Sequence, residues 1–187
     1  MSSLPPIERS ITVSWTPVEA FRRFVHDFAA WWPSATHSIG GPRLARVVFE
    51  PRVGGLIFEE HVDGRRFHWG QVTALDEPRR IEFTWHPARD PATAQAVVLT
   101  FTPGPTGTLV KLTSSNWERW GDGASRARRG YDLGWGHILN RWAGRTTAGM
   151  VAVGLLMRAV SAVMRWSGRS AVSIERAGGE LPRVSRP

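Results

Sequence analysis

A chain of 187 residues, 42% hydrophobic and 21% charged, has the size and balance of one folded domain with an appendage, which argues against disorder of the whole. It contains no cysteine, so a disulfide framework, a thiolate nucleophile and Cys-based zinc sites are excluded. The net charge of +8 resides wholly in residues 124–187, whereas residues 1–123 balance acid against base, so no nucleic-acid partner is expected for the main domain.

The first ten residues, MSSLPPIERS, hold no apolar run of signal-peptide type, and with the missing cysteine this suits a reducing cytoplasm. The dominance of Arg over Lys fits a GC-rich bacterial genome. Residues 7–15 alternate as a first strand. A helix start follows: Thr16 as N-cap, Pro17 at the first helical position, and Glu19 placed to close a capping box. Phe21, Phe24, Val25 and Phe28 fall on one helical stripe, and the spacing predicts a single helix running to Trp31-Trp32, where Pro33 stops it.

From about 45 to 117 the pattern is β-branched and aromatic. Segments 45–50, 56–62, 67–75, 80–86, 95–102 and 108–116 read as strands, separated by turn-like stretches such as Gly54-Gly55, Asp63-Gly64 and Pro103 to Gly107. Six strands with hairpin-length joints make an antiparallel meander. A second helix over about 124–143 carries Tyr131, Trp135, Ile138, Leu139 and Trp142 on one stripe, and the sheet is the large surface available to bury it. The predicted class is α+β: a helix-grip, with a curved antiparallel sheet around a long C-terminal helix and an extra C-terminal extension.

The predicted division is a domain over 1–143 and a basic amphipathic extension over 144–187, its end from Ser167 onward poorly ordered. Residues 148–164 are apolar except for Arg158 and Ser161, which reads as a helix packing on itself or forming a homo-oligomer through residues 148–166. The sharper reading is peripheral membrane contact through an interfacial helix.

In order along the chain stand Trp31-Trp32-Pro33, His37-Ser38, Phe49-Glu50-Pro51 before Gly54-Gly55, and Asp63-Gly64. Then come Trp69-Gly70-Gln71-Val72, Glu77-Pro78-Arg79-Arg80, Phe83-Thr84-Trp85, Thr100-Phe101-Thr102, Trp117-Glu118, and Tyr131 through Trp135 to Leu139. This ordered set resembles the SRPBCC (START-like, birch-allergen-like) superfamily, in the branch named for homology to the activator of a heat-shock-protein ATPase. The resemblance implies a hollow between sheet and helix. It also implies activities ranging from ligand carriage to polyketide cyclases and dehydratases, with no catalytic motif that transfers residue by residue.

Six histidines are scattered without metal-ligand spacing, and neither a GxxxxGK[ST] nor a GxGxxG phosphate cradle occurs; no metal or cofactor is expected. Glu59 and His61 share one strand face, read as the solvated outer one, although the pair also has the makings of a proton-transfer site. With Leu56 and Phe58 taken as inward, Glu60 points inward too. There, desolvation would raise its pKa and make it the candidate for a general acid or base. His86 and Asp90 lie in a Pro-bounded loop at the expected cavity mouth. The predicted ligand-binding set is Phe58, Glu60, Phe83, Trp85, Leu99 and Phe101 from the sheet, with Trp135 and Leu139 from the helix. The leading reading is therefore binding of a small apolar or amphipathic molecule in that cavity. A cyclase or dehydratase using the same cavity is the alternative, favoured if a buried carboxylate has a partner there, and an interaction module working through the basic extension is a third.

Overall fold

The computed structural model describes residues 3–145; residues 146–187, with the expected interfacial helix of the extension, lie outside the described residues. Seven strands form one antiparallel sheet: β1 (Ile7–Val13), β2 (Leu44–Phe49), β3 (Leu56–His61), β4 (Arg66–Asp76), β5 (Arg80–Trp85), β6 (Gln95–Gly104) and β7 (Gly107–Ser115). Their order is β1-β7-β6-β5-β4-β3-β2, so the meander runs unbroken and the first strand closes onto the last. Short helices α1 (Pro17–Val25), α2 (Phe28–Trp31) and α3 (Ser34–His37) join β1 to β2, and the long α4 (Ala124–Trp142) follows β7. This is the helix-grip arrangement of the α+β class.

The start of α1 is set as its sequence requires. Thr16 Oγ1 accepts from the Glu19 backbone, and the Glu19 carboxylate accepts from the Thr16 backbone N–H at 2.9 Å. The single helix expected to reach Trp32 is instead broken at His26–Asp27. There Arg22 pairs with Asp27 at 2.8 Å and the chain restarts as α2. Phe28 and Trp32, beyond the break, are buried in the core together with Phe21 and Phe24.

Helices α1 and α4 lie on the same face of the sheet. Phe21 and Phe24 of α1 meet Phe101 of β6 with ring centroids 5.3 and 6.3 Å apart, and Phe24 reaches Trp142 of α4 at 5.4 Å. Along α4, Trp135, Ile138, Leu139 and Trp142 are buried, and Arg141 on the flank donates to the Trp31 carbonyl at 3.0 Å, tying α4 to α2.

Curvature concentrates in β4. Ile57 pairs with Gly70 but Phe58 pairs with His68, so Trp69 is an extra residue, a bulge. Gly70 next to it is obligatory, because a Cβ there would overlap the Thr84 carbonyl on the neighbouring strand.

Candidate functional site

The inner face of β5 and β6 carries Phe83, Trp85, Leu99 and Phe101, each two residues from the next on its strand. All four are buried in one core with Trp135 and Leu139. Trp85 meets Trp135 directly at 5.5 Å, joining sheet to helix. Phe101 meets Phe21 of α1, and Phe83 faces Phe49 of β2 at 5.5 Å.

Strand β3 has the phase opposite to the expected one. Its inward residues are Ile57, Glu59 and His61, and Phe58 and Glu60 lie on the outer face. Phe58 is buried there beneath the Arg66 guanidinium, 5.0 Å from its ring, and beside His68. The Glu60 side chain is 21% exposed and accepts from Arg46 at 3.1 Å and Arg66 at 2.9 Å. These two hydrogen bonds hold its carboxyl below the usual range instead of raising it, so the expected buried acid at position 60 is corrected. Ile57 and Phe58 are both large and apolar, and the face that wins is the one on which Ile57 joins the core opposite the bulge.

Glu59 is 0% exposed and His61 3%. A buried carboxylate must be hydrogen-bonded, and this one is. Its Oε2 accepts from the Ile39 N–H at 2.9 Å, its Oε1 accepts from the Gly40 N–H at 2.6 Å, and the same Oε1 lies 2.6 Å from His61 Nε2. The segment after α3 is thereby fastened to β3. Gly40 is packed so closely on the His61 ring that a Cβ would overlap it, and Phe67 stacks on the other side at 4.3 Å.

A continuous aromatic wall runs through the same core. Trp32 contacts Trp69 at 5.2 Å and Trp85 at 5.6 Å, and Trp85 continues to Trp135. His37 lies 5.9 Å from Trp32 and stacks on His137 of α4 at 5.6 Å with planes 2° apart. The Thr36 hydroxyl donates to the Pro33 carbonyl, so it accepts from His37 Nδ1 at 2.8 Å, and Nε2 is left as an acceptor. The indole N–H groups of Trp32, Trp69 and Trp135, with His37 Nε2, His61 Nδ1 and His137 Nδ1, are buried and have no hydrogen-bond partner among the described residues. Each such atom costs about 1–3 kcal/mol unless another group satisfies it.

Burial first, then His137 and Arg141, push the His37 imidazole down from 6.5 to about 4. Burial and Arg141 lower His137 as well. Between 6.5 and about 4 the unfolded chain takes up the His37 proton and the folded chain does not. The stability present above 6.5 is therefore lost progressively as pH falls through this window. Urea midpoints measured across it should fall with pH, and less steeply in a His37→Asn variant; an unchanged slope in that variant would contradict the buried neutral imidazole.

Of the loop residues expected at a cavity mouth, His86 is buried and its Nδ1 lies 3.3 Å from the Arg89 carbonyl, while Asp90 caps the turn Pro91–Thr93 by accepting from the Ala92 N–H. Trp32, Trp69, His37, His137 and the buried role of Glu59–His61 were not in the predicted set. Three of these positions do stand in the sequence patterns Trp31-Trp32-Pro33, His37-Ser38 and Trp69-Gly70. Among the described residues no three acidic or His side chains group as a metal site, and no helix is long and apolar enough to cross a membrane.

The model of the family described as Activator of Hsp90 ATPase homolog 1-like protein matches residues 14–144. Among solved structures, protein MLL2253 from Mesorhizobium loti is 23% identical with a TM-score of 0.53, over 74% of this chain and 94% of that one. Protein BH1534 from Bacillus halodurans is 17% identical with a TM-score of 0.55, over 77% and 98%. These two likenesses concern the fold. Txn09, an anthrahydroquino-gamma-pyrone synthase, is 30% identical with a TM-score of 0.53, over 77% of this chain and 99% of its own. No curated protein matches the chain.

Proposed function

Because the chain belongs to the family of Activator of Hsp90 ATPase homolog 1-like proteins, a branch of the SRPBCC superfamily, we propose that it binds a small planar molecule, largely apolar but bearing oxygens, between β4, β5 and α4. The observation that carries this reading is the wall Trp32–Trp69–Trp85–Trp135, on which three buried indole N–H groups have no partner among the described residues. Flat rings offer stacking area at low entropic cost, and the N–H groups ask for acceptor oxygens. The likeness to Txn09 supports a planar, oxygenated ligand.

Calorimetric titration tests the reading with two probes of similar shape, flavone and the hydrocarbon 2-phenylnaphthalene. Saturable binding of flavone is expected, tighter than the hydrocarbon by roughly tenfold, the worth of one or two net hydrogen bonds. Absence of saturable heat with flavone, or equal affinity for the hydrocarbon, would remove it.

A second reading, an enzyme of cyclase or dehydratase type acting on the same ligand, is favoured by one feature: Glu59 and His61 form a buried carboxylate–imidazole pair on the inner face.

A further inference from the structure

Glu59 and His61 are more than a fastening for the segment after α3. Both oxygens of Glu59 accept backbone N–H groups, so in the 2.6 Å contact with His61 the carboxylate is the acceptor and Nε2 carries the hydrogen. The imidazole's remaining nitrogen, Nδ1, then presents a lone pair. It is buried, belongs to a side chain 2% exposed, and has no partner among the described residues. A structural clamp needs Nε2 alone. Sandwiching of the ring between Gly40 and Phe67 fixes its orientation, and a negative charge at Nε2 stabilises the imidazolium that forms when Nδ1 takes a proton.

We infer that His61 is a general base whose Nδ1 removes the proton of a weakly acidic hydroxyl on the ligand, with Glu59 as the positioning residue that holds the tautomer and balances the charge. The inference rests on the ligand-binding reading above. In the step, the ligand O–H bond breaks and an N–H bond forms at Nδ1. The electron pair stays on the ligand oxygen as a phenolate or enolate, and the imidazolium charge is met by the Glu59 carboxylate. No co-reactant is required. The ligand class is thereby narrowed to planar molecules with a phenolic or enolic hydroxyl, whose carbonyl or ether oxygens answer the indole N–H groups.

The test uses 4-nitrophenol, a planar phenol whose anion has its own visible absorption band, with the full chain at a pH below the pKa of the free phenol. Binding is followed by equilibrium dialysis and ionisation by the band. Wild-type protein should bind the probe and raise the nitrophenolate band. His61→Gln should bind it with the band reduced by about tenfold or more, one pKa unit being tenfold, and Glu59→Gln should fall between. Bound probe without the band in wild type, or an undiminished band in His61→Gln, overturns the inference and leaves the binding reading standing. Failure of any binding removes both. Nitrogen-15 spectra of wild-type His61 keep the question decidable should the variants misfold: Nδ1 must show a lone-pair signal without probe and a protonated one with it, and an Nδ1 already protonated in the free protein overturns the inference.

Discussion

Trp135→Ala is expected to destabilise the fold by about 3–5 kcal/mol, the range for truncating a buried large aromatic. Trp135 stands midway along α4, 4% exposed, with its ring on Trp85 of β5. Through Trp85 it connects to Trp69 and Trp32, so the void would open where helix, bulge and α2 come together. Urea unfolding followed by circular dichroism checks this, and a loss below about 1 kcal/mol would mean that α4 does not grip the sheet through this residue.

Glu59→Ala should cost a similar amount, about 3–5 kcal/mol, for a different reason. Removing the carboxylate leaves the N–H groups of Ile39 and Gly40 and the Nε2 of His61 buried without their acceptor. The cost lies in the stranded partners rather than in the lost attraction. A Glu59→Leu, His61→Phe double variant, which strands only the Ile39 and Gly40 N–H groups, should therefore be less destabilised than Glu59→Ala. Equal or greater loss in the double variant would show that packing, not polar satisfaction, governs this corner of the fold.

The parts legible in the sequence are those decided locally. Thr16, Pro17 and Glu19 specify a helix start among themselves, and it forms as read. Turn residues such as Gly64, at φ +79°, divide the strands where expected. The stripe from Trp135 to Trp142 marks the buried face of α4 without reference to its partner. The illegible parts depend on contacts between distant segments. In β3, period-two alternation places Glu59 with His61 and Phe58 with Glu60, but adjacent Ile57 and Phe58 leave the inner set undetermined. The choice is made by the Trp69 bulge on the next strand and by the N–H groups of Ile39 and Gly40. Nothing local announces that a polar Glu-Glu-His run turns two of its members inward. His37 and His137 likewise meet across the fold, through α3 and α4, with no pattern linking them. The break at His26–Asp27 reflects the same limit, since propensity alone favours one continuous helix and the curved sheet divides it.

Native mass spectrometry of the full chain purified from its own host, with identification of any small molecule released on denaturation, tests the central claim most directly. A co-purifying planar compound bearing carbonyl or hydroxyl oxygens, lost from the Trp135→Ala protein and retained by a surface variant such as Arg79→Ala, is the predicted result. A co-purifying compound that is a saturated chain, or one retained equally by the Trp135→Ala protein, would contradict a site built on the tryptophan wall.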